Sequence, residues 1–429
     1  MFYKITNSKE KHNGYQYVDG LNILKEEFNK RGSCVKGGLY FTNEKYIFEF
    51  LSYGIYLREI TLPVDDNFKM VQDTEGNKWR ANMLIFGKRH TLSDVKTFEF
   101  LLLNGADIHA GNDYAFIWAC AKGYLEIVKL LIKKGANIST ENNLSIKIAS
   151  SNGHLEIVKI LIENGASIHI ENNMPLKLAA TNGHLDMIKY FLQIKTFNNE
   201  NPHIINESNF ISNPLNIHID IDQVLRIACK NNHLNIVNLL IEKKANVLAN
   251  NSEALIMASE NGHMEIIKRL LLAGANIHAQ NNAALAQASL NGHLDVVTFL
   301  LQNGADIHDK QDYALRLACE YGHLNVVIFL IQNGANIHAK NGSALRRGSK
   351  SGHAEIIKIL IHHGADVHVK NDQALRKSSK YGYLTIVKIL LQNGADIHAK
   401  NDKAITLATK HDNKAIIKFL KEHNQKIKN

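Results

Sequence analysis

A period of thirty residues runs through most of the sequence and limits what the chain can fold into. A glycine, followed in most copies by Ala-x-Ile-His, recurs at Gly105, Gly135, Gly165, Gly274, Gly304, Gly334, Gly364 and Gly394. Pro214 and Lys244 hold the same slot after a nineteen-residue insertion. A second phrase, Gly-His-Leu, keeps the same period at Gly153, Gly183, Gly292 and Gly322. Periods of this size indicate a solenoid, which is usually a binding surface rather than a catalyst.

One unit, residues 311–340, predicts two short helices. The first spans Ala314–Tyr321, with Asp312 placed to cap it, and the second spans Leu324–Gln332 with its aliphatic residues on one side. A glycine after each helix predicts a left-handed stop. Helices this short are marginal alone, so we expect each pair to gain its burial from its neighbours.

The phrase Gly-His-Leu-Glu-Ile-Val-Lys-x-Leu-Ile-x-x-Gly-Ala-x-Ile, best seen at 153–168, resembles the ankyrin repeat family. The resemblance covers residues 92–424, as ten units behind a leading half-unit, and implies a mainly α solenoid. Family units have thirty-three residues, so units of thirty imply short fingers between repeats. The family's Thr-Pro-Leu-His survives only as Met174-Pro175-Leu176-Lys177.

Two segments depart from the period inside or after this array. The insertion near 195–212 interrupts one unit and predicts a surface loop, because loops of this length are functional or disordered. Residues 425–429 form a polar tail beyond the last unit.

Residues 1–91 lack the repeat and predict a separate small α/β domain. We expect a helix at Glu44–Leu51, a strand at Tyr56–Leu62, and a hairpin of Phe68–Asp73 and Lys78–Phe86 turned at residues 74–77. The phrases Gly37-Gly38-Leu39-Tyr40-Phe41-Thr42 and Leu57-Arg58-Glu59-Ile60-Thr61-Leu62-Pro63 resemble the N-terminal segment of ankyrin repeat proteins from giant amoeba-infecting DNA viruses (mimivirus-like).

The same N-terminal layout is also similar to ADP-ribosyltransferase-like folds. In that family a His, a Tyr and a late acidic residue line a nicotinamide dinucleotide, and here His12 and Tyr40 match the first two. Glu75 is a poor match for the third, since it falls in the predicted turn. The competing interpretation is that Tyr40 and Phe41 are core residues of a small sheet.

The histidines and cysteines predict structure rather than chemistry. Fifteen of the 22 histidines fall in two repeat columns, and units about a helix diameter apart cannot bring one column to a single zinc ion. The ankyrin resemblance implies that the Gly-His imidazole ties backbone groups together. Cys120, Cys229 and Cys319 share a column with Ala and Ser, which favours small core residues. We expect no metal, no cofactor and no catalytic residue.

Basic residues gather on the first helices of the later units. The net charge of the chain is +9, and residues 331–400 hold eleven Lys and Arg against four Asp and Glu, a net charge of +7. The resemblance implies that this helix face is the concave one. The candidate partner-binding residues are Arg316, Arg346, Arg347, Lys350, Arg376, Lys377 and Lys380. The alternative is that these residues form a solvated face without a partner. Nucleic acid is disfavoured as a partner because the sequence contains no nucleic-acid recognition motif.

The sequence therefore predicts a non-catalytic scaffold that binds a protein, acidic in character and from a host cell, through the concave face. An ADP-ribosyltransferase-like head acting on captured proteins is the alternative. We expect a monomer inside cells, in host cytoplasm or virion and not secreted. No apolar run is long enough for a membrane helix, and residues 1–7 lack the apolar core of a signal peptide. Reversing Arg346, Arg347 and Arg376 to Glu is expected to leave folding intact.

Overall fold

The computed structural model describes residues 1–30, 36–73, 76–197 and 215–428. The contacts divide the chain into two compact units, Met1–Ile211 and Ser212–Asn429. The division falls within the insertion predicted near 195–212. Residues 195–197 of the predicted loop are helical instead, and the remainder of the loop lies outside the described residues. The first unit holds a sheet and the first helix pairs, and the second unit holds helix pairs.

The head is a twisted antiparallel sheet of seven strands, accompanied by a two-stranded hairpin. The sheet runs in the order β4-β9-β6-β1-β5-β8-β7, and β2 pairs with β3. The strands are β1 (Phe2–Thr6), β2 (Lys11–His12), β3 (Tyr15–Gln16), β4 (Gly20–Ile23), β5 (Leu39–Asn43), β6 (Tyr56–Thr61), β7 (Met70–Gln72), β8 (Trp79–Ala81) and β9 (Met83–Thr91). Its core holds Tyr17, Leu39, Phe41, Ile60, Ala81, Leu84 and Phe86.

The head's predicted elements are found with two differences. The expected helix is a 3₁₀ helix, Glu44–Tyr53, which Asn43 caps by accepting from the Tyr46 N–H. The expected hairpin forms as β7 against β8, but its second arm breaks at Asn82. Beyond this residue β9 leaves β7 and pairs with β4 and β6. Neighbouring strands decide that switch, so the local alternation of residues could not predict it.

The rest of the described chain is helical. One helix, α1 (Val95–Leu103), precedes ten helix pairs. The first helices are α2 (Ala110–Lys122), α4 (Thr140–Ser151), α6 (Ile170–Thr181), α8 (Leu215–Lys230), α10 (Ala249–Glu260), α12 (Ala279–Asn291), α14 (Asp309–Tyr321), α16 (Ala339–Ser351), α18 (Val369–Tyr381) and α20 (Ala399–Lys410). The second helices are α3 (Leu125–Lys133), α5 (Leu155–Glu163), α7 (Leu185–Phe197), α9 (Leu234–Glu242), α11 (Met264–Leu272), α13 (Leu294–Gln302), α15 (Leu324–Gln332), α17 (Ala354–His362), α19 (Leu384–Gln392) and α21 (Lys414–Lys428). The predicted fold class, a mainly α helix-pair stack behind a small α/β head, is confirmed.

A short left-handed turn joins each repeat to the next. In α18, Lys370, Asn371 and Asp372 have φ of 55°, 54° and 52°, and eight other first helices begin with the same three-residue turn. Asparagine recurs at the middle position because its short polar side chain tolerates this conformation better than most. The turn stands where the family's hairpin finger would be, which agrees with the short fingers implied by a thirty-residue period.

The residue that ends this turn ties its repeat to the next one. Asp312 is buried, and its Oδ1 accepts from the backbone N–H of Asn336, 2.8 Å away in the following unit. Asp113, Asn282 and Asp372 accept in the same way from the backbone N–H twenty-four residues on. The prediction that Asp312 caps its own helix therefore had the wrong partner.

The Gly-His column forms a second bond between repeats. The Nε2 of His154 lies 3.2 Å from the carbonyl oxygen of Ala121, thirty-three residues earlier, and His323 bonds Leu290 in the same way. A Cβ on Gly123 would lie 2.7 Å from Cε1 of His154, and its φ is +78°. Glycine is required there both for the left-handed backbone and for the approach of the next ring. The structural interpretation of these histidines is confirmed.

Small side chains fill the column predicted to need them. Cys120, Cys229 and Cys319 are free and fully buried, and burial raises the pKa of the Cys120 thiol to about 12. A thiol with such a pKa is unreactive at neutral pH, so packing explains these residues.

Aromatic rings join the head to the first repeats within the first unit. Phe98 of α1 stacks on Phe48 of the 3₁₀ helix with ring centroids 5.4 Å apart, and on Trp118 of α2 at 5.9 Å. Phe100 packs edge-on against Tyr3 of β1. The head and the beginning of the repeat array therefore share one buried cluster.

The C-terminal helix α21 extends into the segment predicted as a polar tail and ends at Lys428. Across the described ranges, no helix is both long and apolar enough to cross a membrane.

Candidate partner-binding site

The arginines of the basic column bind the left-handed turn of their own repeat. Nε of Arg376 donates to the Asn371 carbonyl at 2.9 Å, and its second nitrogen donates to the Lys370 carbonyl at 2.7 Å. Arg346 and Arg316 repeat these two bonds, to the carbonyls five and six residues earlier. Each guanidinium thus holds two backbone carbonyls of the turn that begins its helix, through hydrogen bonds strengthened by its charge.

The three arginines differ in how much of the side chain faces solvent. Arg316 is 3% exposed and lies over the Tyr313 ring, 4.9 Å from its centroid. Arg346 and Arg376 are half-buried. Burial, and then the nearby charge of Arg347, lower the pKa of Arg316 and of Arg346. The column was predicted as surface charge, and its bonds to the backbone could not be read from position alone.

The remaining predicted residues lie on the same helices, one position after Arg346 and Arg376 (Arg347 and Lys377) or four positions after them (Lys350 and Lys380). Arg347 is paired with Glu320 and also donates to the Ser343 hydroxyl. Lys350 is exposed, Lys377 and Lys380 are half-buried, and the Lys380 ammonium lies 5.1 Å from the centroid of the Tyr381 ring. The first helices α16 and α18 pack against each other. All seven predicted residues therefore lie on adjoining helices of the second unit.

Five lysines on the second helices differ from these first-helix lysines because each has a carboxylate partner on its own helix. Lys129, Lys159, Lys189, Lys268 and Lys358 each form an ion pair with an acidic residue three positions earlier on the same helix. Among the described residues, Lys350, Lys377 and Lys380 have no such partner. The charges of these five second-helix lysines are thus locally neutralised, whereas the first-helix surface of α16 and α18 keeps unbalanced positive charge.

The histidines of the Ile-His column contact the left-handed turn. Nδ1 of His308 lies 3.0 Å from Oδ1 of Asp312, and His398 lies 2.7 Å from Asp402. Within the described ranges, no group of three or more His, Cys, Asp or Glu side chains is arranged to hold a metal ion. These histidines position the turn.

A cavity in the head brings together the two residues matched to the transferase layout. The rings of His12 and Tyr40 lie 5.9 Å apart and nearly perpendicular, and both line a cavity of about 310 Å³. None of the described residues that line this cavity carries a carboxylate. Glu75, the poor match for the acidic residue, lies outside the described residues. Among the described residues of the cavity, no acidic group supports the transferase alternative.

Sequence reasoning missed two buried charges in the head. Lys4 of β1 is 5% exposed, and its ammonium donates to the Tyr40 carbonyl at 2.7 Å. Arg58 of β6, directly opposite Lys4 in the sheet, pairs with Glu10 at 2.8 Å and also with Asp19. The single lysine in the otherwise mostly apolar run Phe2–Thr6 was the available signal, because a strand buried on both faces rarely carries a lysine.

Comparison with protein families identifies the family to which the repeats belong. The model described as "Ankyrin repeats (3 copies)" matches residues 90–172, 225–311 and 285–371, and the model "Ankyrin repeat" matches residues 374–402. These matches cover more than half of the chain, which therefore belongs to the ankyrin repeat family.

The chain is also similar to viral proteins, all of Acanthamoeba polyphaga mimivirus. It is 47% identical to the ankyrin repeat protein R868 over 135 residues, which are 31% of this chain and 66% of that protein. It is 48% identical to the ankyrin repeat protein R896, over 30% of this chain and 40% of that protein. An uncharacterized protein, R869, is 45% identical over 31% of this chain and 97% of its own length. The chain thus spans less than two thirds of the length of R868 and R896.

Proposed function

We propose that the chain is a non-catalytic scaffold that binds an acidic segment of a host protein through the first-helix surface of α14, α16 and α18. Ankyrin repeats are protein-interaction modules, and the relatives carry no name that implies catalysis. The observation that carries the finer proposal is the contrast in ion pairing. Among the described residues, Lys350, Lys377 and Lys380 have no carboxylate partner of the kind that Lys268 and Lys358 have on their second helices, and a partner protein would supply one.

The seven candidate residues have different roles in this proposal. Lys350, Lys377 and Lys380 contact the partner directly. Arg347 forms an ion pair with the partner when an acidic side chain of the partner displaces Glu320 from it. Arg316, Arg346 and Arg376 hold the turns and add to the positive field. Because Arg346 and Arg376 donate to backbone carbonyls, their reversal to Glu would disturb the turn as well as the surface. The lysines are therefore the better probes of binding.

The test is a charge reversal of the lysines alone. A variant with Lys350→Glu, Lys377→Glu and Lys380→Glu is compared with the wild type for binding a labelled poly-glutamate peptide and for capture from Acanthamoeba lysate. The matched control reverses Lys129, Lys189 and Lys268, which changes the net charge equally on the second helices. Circular dichroism confirms that both variants fold.

We expect the first-helix variant to lose the peptide and the captured protein, and the control to retain both. Binding should also weaken as salt rises, because exposed charges are screened within about 10 Å at 0.1 M salt. An equal loss of binding in the two variants would mean that the net charge of the chain, and not the first-helix surface, determines binding. Retention of the captured protein by both variants would reject this surface as the binding site.

A further inference from the structure

The central strands of the head separate and leave a cavity between them. Strands β1 and β5 pair only at Phe2↔Asn43 and Tyr3↔Thr42, whereas β1 continues its pairing with β6 to Thr6. Beyond Tyr3 the gap is bridged by a side chain, since the Lys4 ammonium donates to the Tyr40 carbonyl at 2.7 Å. A cavity of about 310 Å³ lies here, lined by residues of both strands. Ligand pockets begin at about this size.

Aromatic rings form much of the wall of this cavity. His12 and Tyr40 meet edge to face, and Phe50 and Tyr53 of the 3₁₀ helix lie with centroids 5.9 Å apart. Tyr40 is buried, whereas Tyr53 is 54% exposed. A half-exposed tyrosine among the aromatic residues that line the cavity is available to stack on a flat ring that enters it.

The charges of the described residues that line the cavity are all of one sign. Lys4, Lys11 and Lys78 line it, and no Asp or Glu of the described ranges does. Burial alone lowers the pKa of Lys4 to about 7, and burial together with the charge of Lys4 lowers the pKa of His12 to about 4. A buried ammonium without a carboxylate is costly, and an anion in the cavity would relieve that cost.

We propose that the cavity between β1 and β5 binds a small aromatic anion, a flat ring carrying a phosphate or carboxylate group, with the anionic group at Lys4 and Lys11 and the ring against Tyr53 and His12. This is a binding site in the head, independent of the partner surface on α16 and α18. No reaction is needed for the assignment, because it rests on shape, ring contacts and charge.

Isothermal titration calorimetry on the full chain tests the proposal with four probes. Adenosine 5′-monophosphate and benzoate each carry a ring and an anionic group, while adenosine and inorganic phosphate each lack one of the two. We expect at least one of the first two to bind at least about tenfold more tightly than either of the last two. Binding of the nucleotide only would identify a phosphate ligand, and binding of benzoate only would identify a carboxylate ligand.

Variants connect the binding to the cavity. Lys4→Met removes the buried charge, and Tyr53→Ala removes a half-exposed ring without touching the core. Each substitution should lower the affinity for the probe that binds about tenfold. Lys45→Met, on the same 3₁₀ helix as Tyr53 but outside the cavity lining, should leave the affinity unchanged. Tryptophan emission, measured in a Trp118→Phe background so that it comes from Trp79 alone, confirms that the head is folded. The proposal is overturned if neither ring-bearing anion binds at millimolar concentration, if phosphate alone binds equally well, or if Tyr53→Ala binds as the wild type does.

Discussion

Within one repeat, neighbouring residues of the left-handed turn have separate tasks. Asn371 is exposed and accommodates a positive φ, whereas Asp372 is buried and accepts from the backbone of the next repeat. The sequence showed that both positions recur, because a column of Asn and Asp is visible in the period. It could not show which backbone group twenty-four residues away each would meet, because that distance depends on how two repeats stack.

The clearest test at this scale is Asp312, whose carboxylate binds Asn336 and His308. Asp312→Ala leaves the Asn336 N–H buried without its acceptor, which should lower the free energy of unfolding of the surrounding repeats by about 1–3 kcal/mol. Asp312→Asn should cost less than half as much, because Asn282 accepts equivalently in its own repeat. Urea unfolding followed by circular dichroism measures both. Asp306→Ala, at an exposed position, is the control, and an equal loss there would refute the role given to Asp312.

At the scale of elements, the turn and the arginine above it act together. The three left-handed residues begin nine of the first helices, and in α14, α16 and α18 a guanidinium holds the two carbonyls of the turn. The helices were predictable from their apolar spacing, and α15 has the predicted bounds. The left-handed turn could not be predicted in this way, because its conformation depends on hydrogen bonds to a neighbouring repeat. The arginines were assigned to the surface for the same reason.

Asn371 tests the turn without touching a side-chain contact. Its φ is 54° and its side chain is exposed, so a substitution there changes mainly the backbone preference. Asn371→Val should destabilise the second unit by about 1–2 kcal/mol, since a β-branched residue is strained in the left-handed region. Asn371→Gly should remain within about 0.5 kcal/mol of the wild type. As a control, Gln392→Val places valine at an exposed right-handed position, and an equal loss there would show that β-branching alone, not handedness, sets the cost.

At the scale of the molecule, the head is joined to the repeats by buried rings. Phe48, Phe98 and Trp118 form one stack from the 3₁₀ helix through α1 to α2. The sequence suggested a boundary near residue 91 because the period begins there, but a period says nothing of what covers the first repeat. The open face of the leading half-unit needs an apolar cover, and the head provides it.

This shared cluster predicts that the head and the first repeats unfold together. The chain has two tryptophans, Trp79 in the head and Trp118 in the first repeat, so Trp118→Phe and Trp79→Phe leave one reporter on each side of the junction. We expect both reporters to give the same urea midpoint. Phe98→Ala should shift both midpoints down together, by a loss of roughly 3–5 kcal/mol, because it empties the centre of the stack. Leu103→Ala on the same helix, where the side chain is 84% exposed, is the matched control and should shift neither. Two separate midpoints in the parent chain, or a Phe98→Ala shift confined to Trp118, would mean that the head folds as an independent domain and only rests on the repeats.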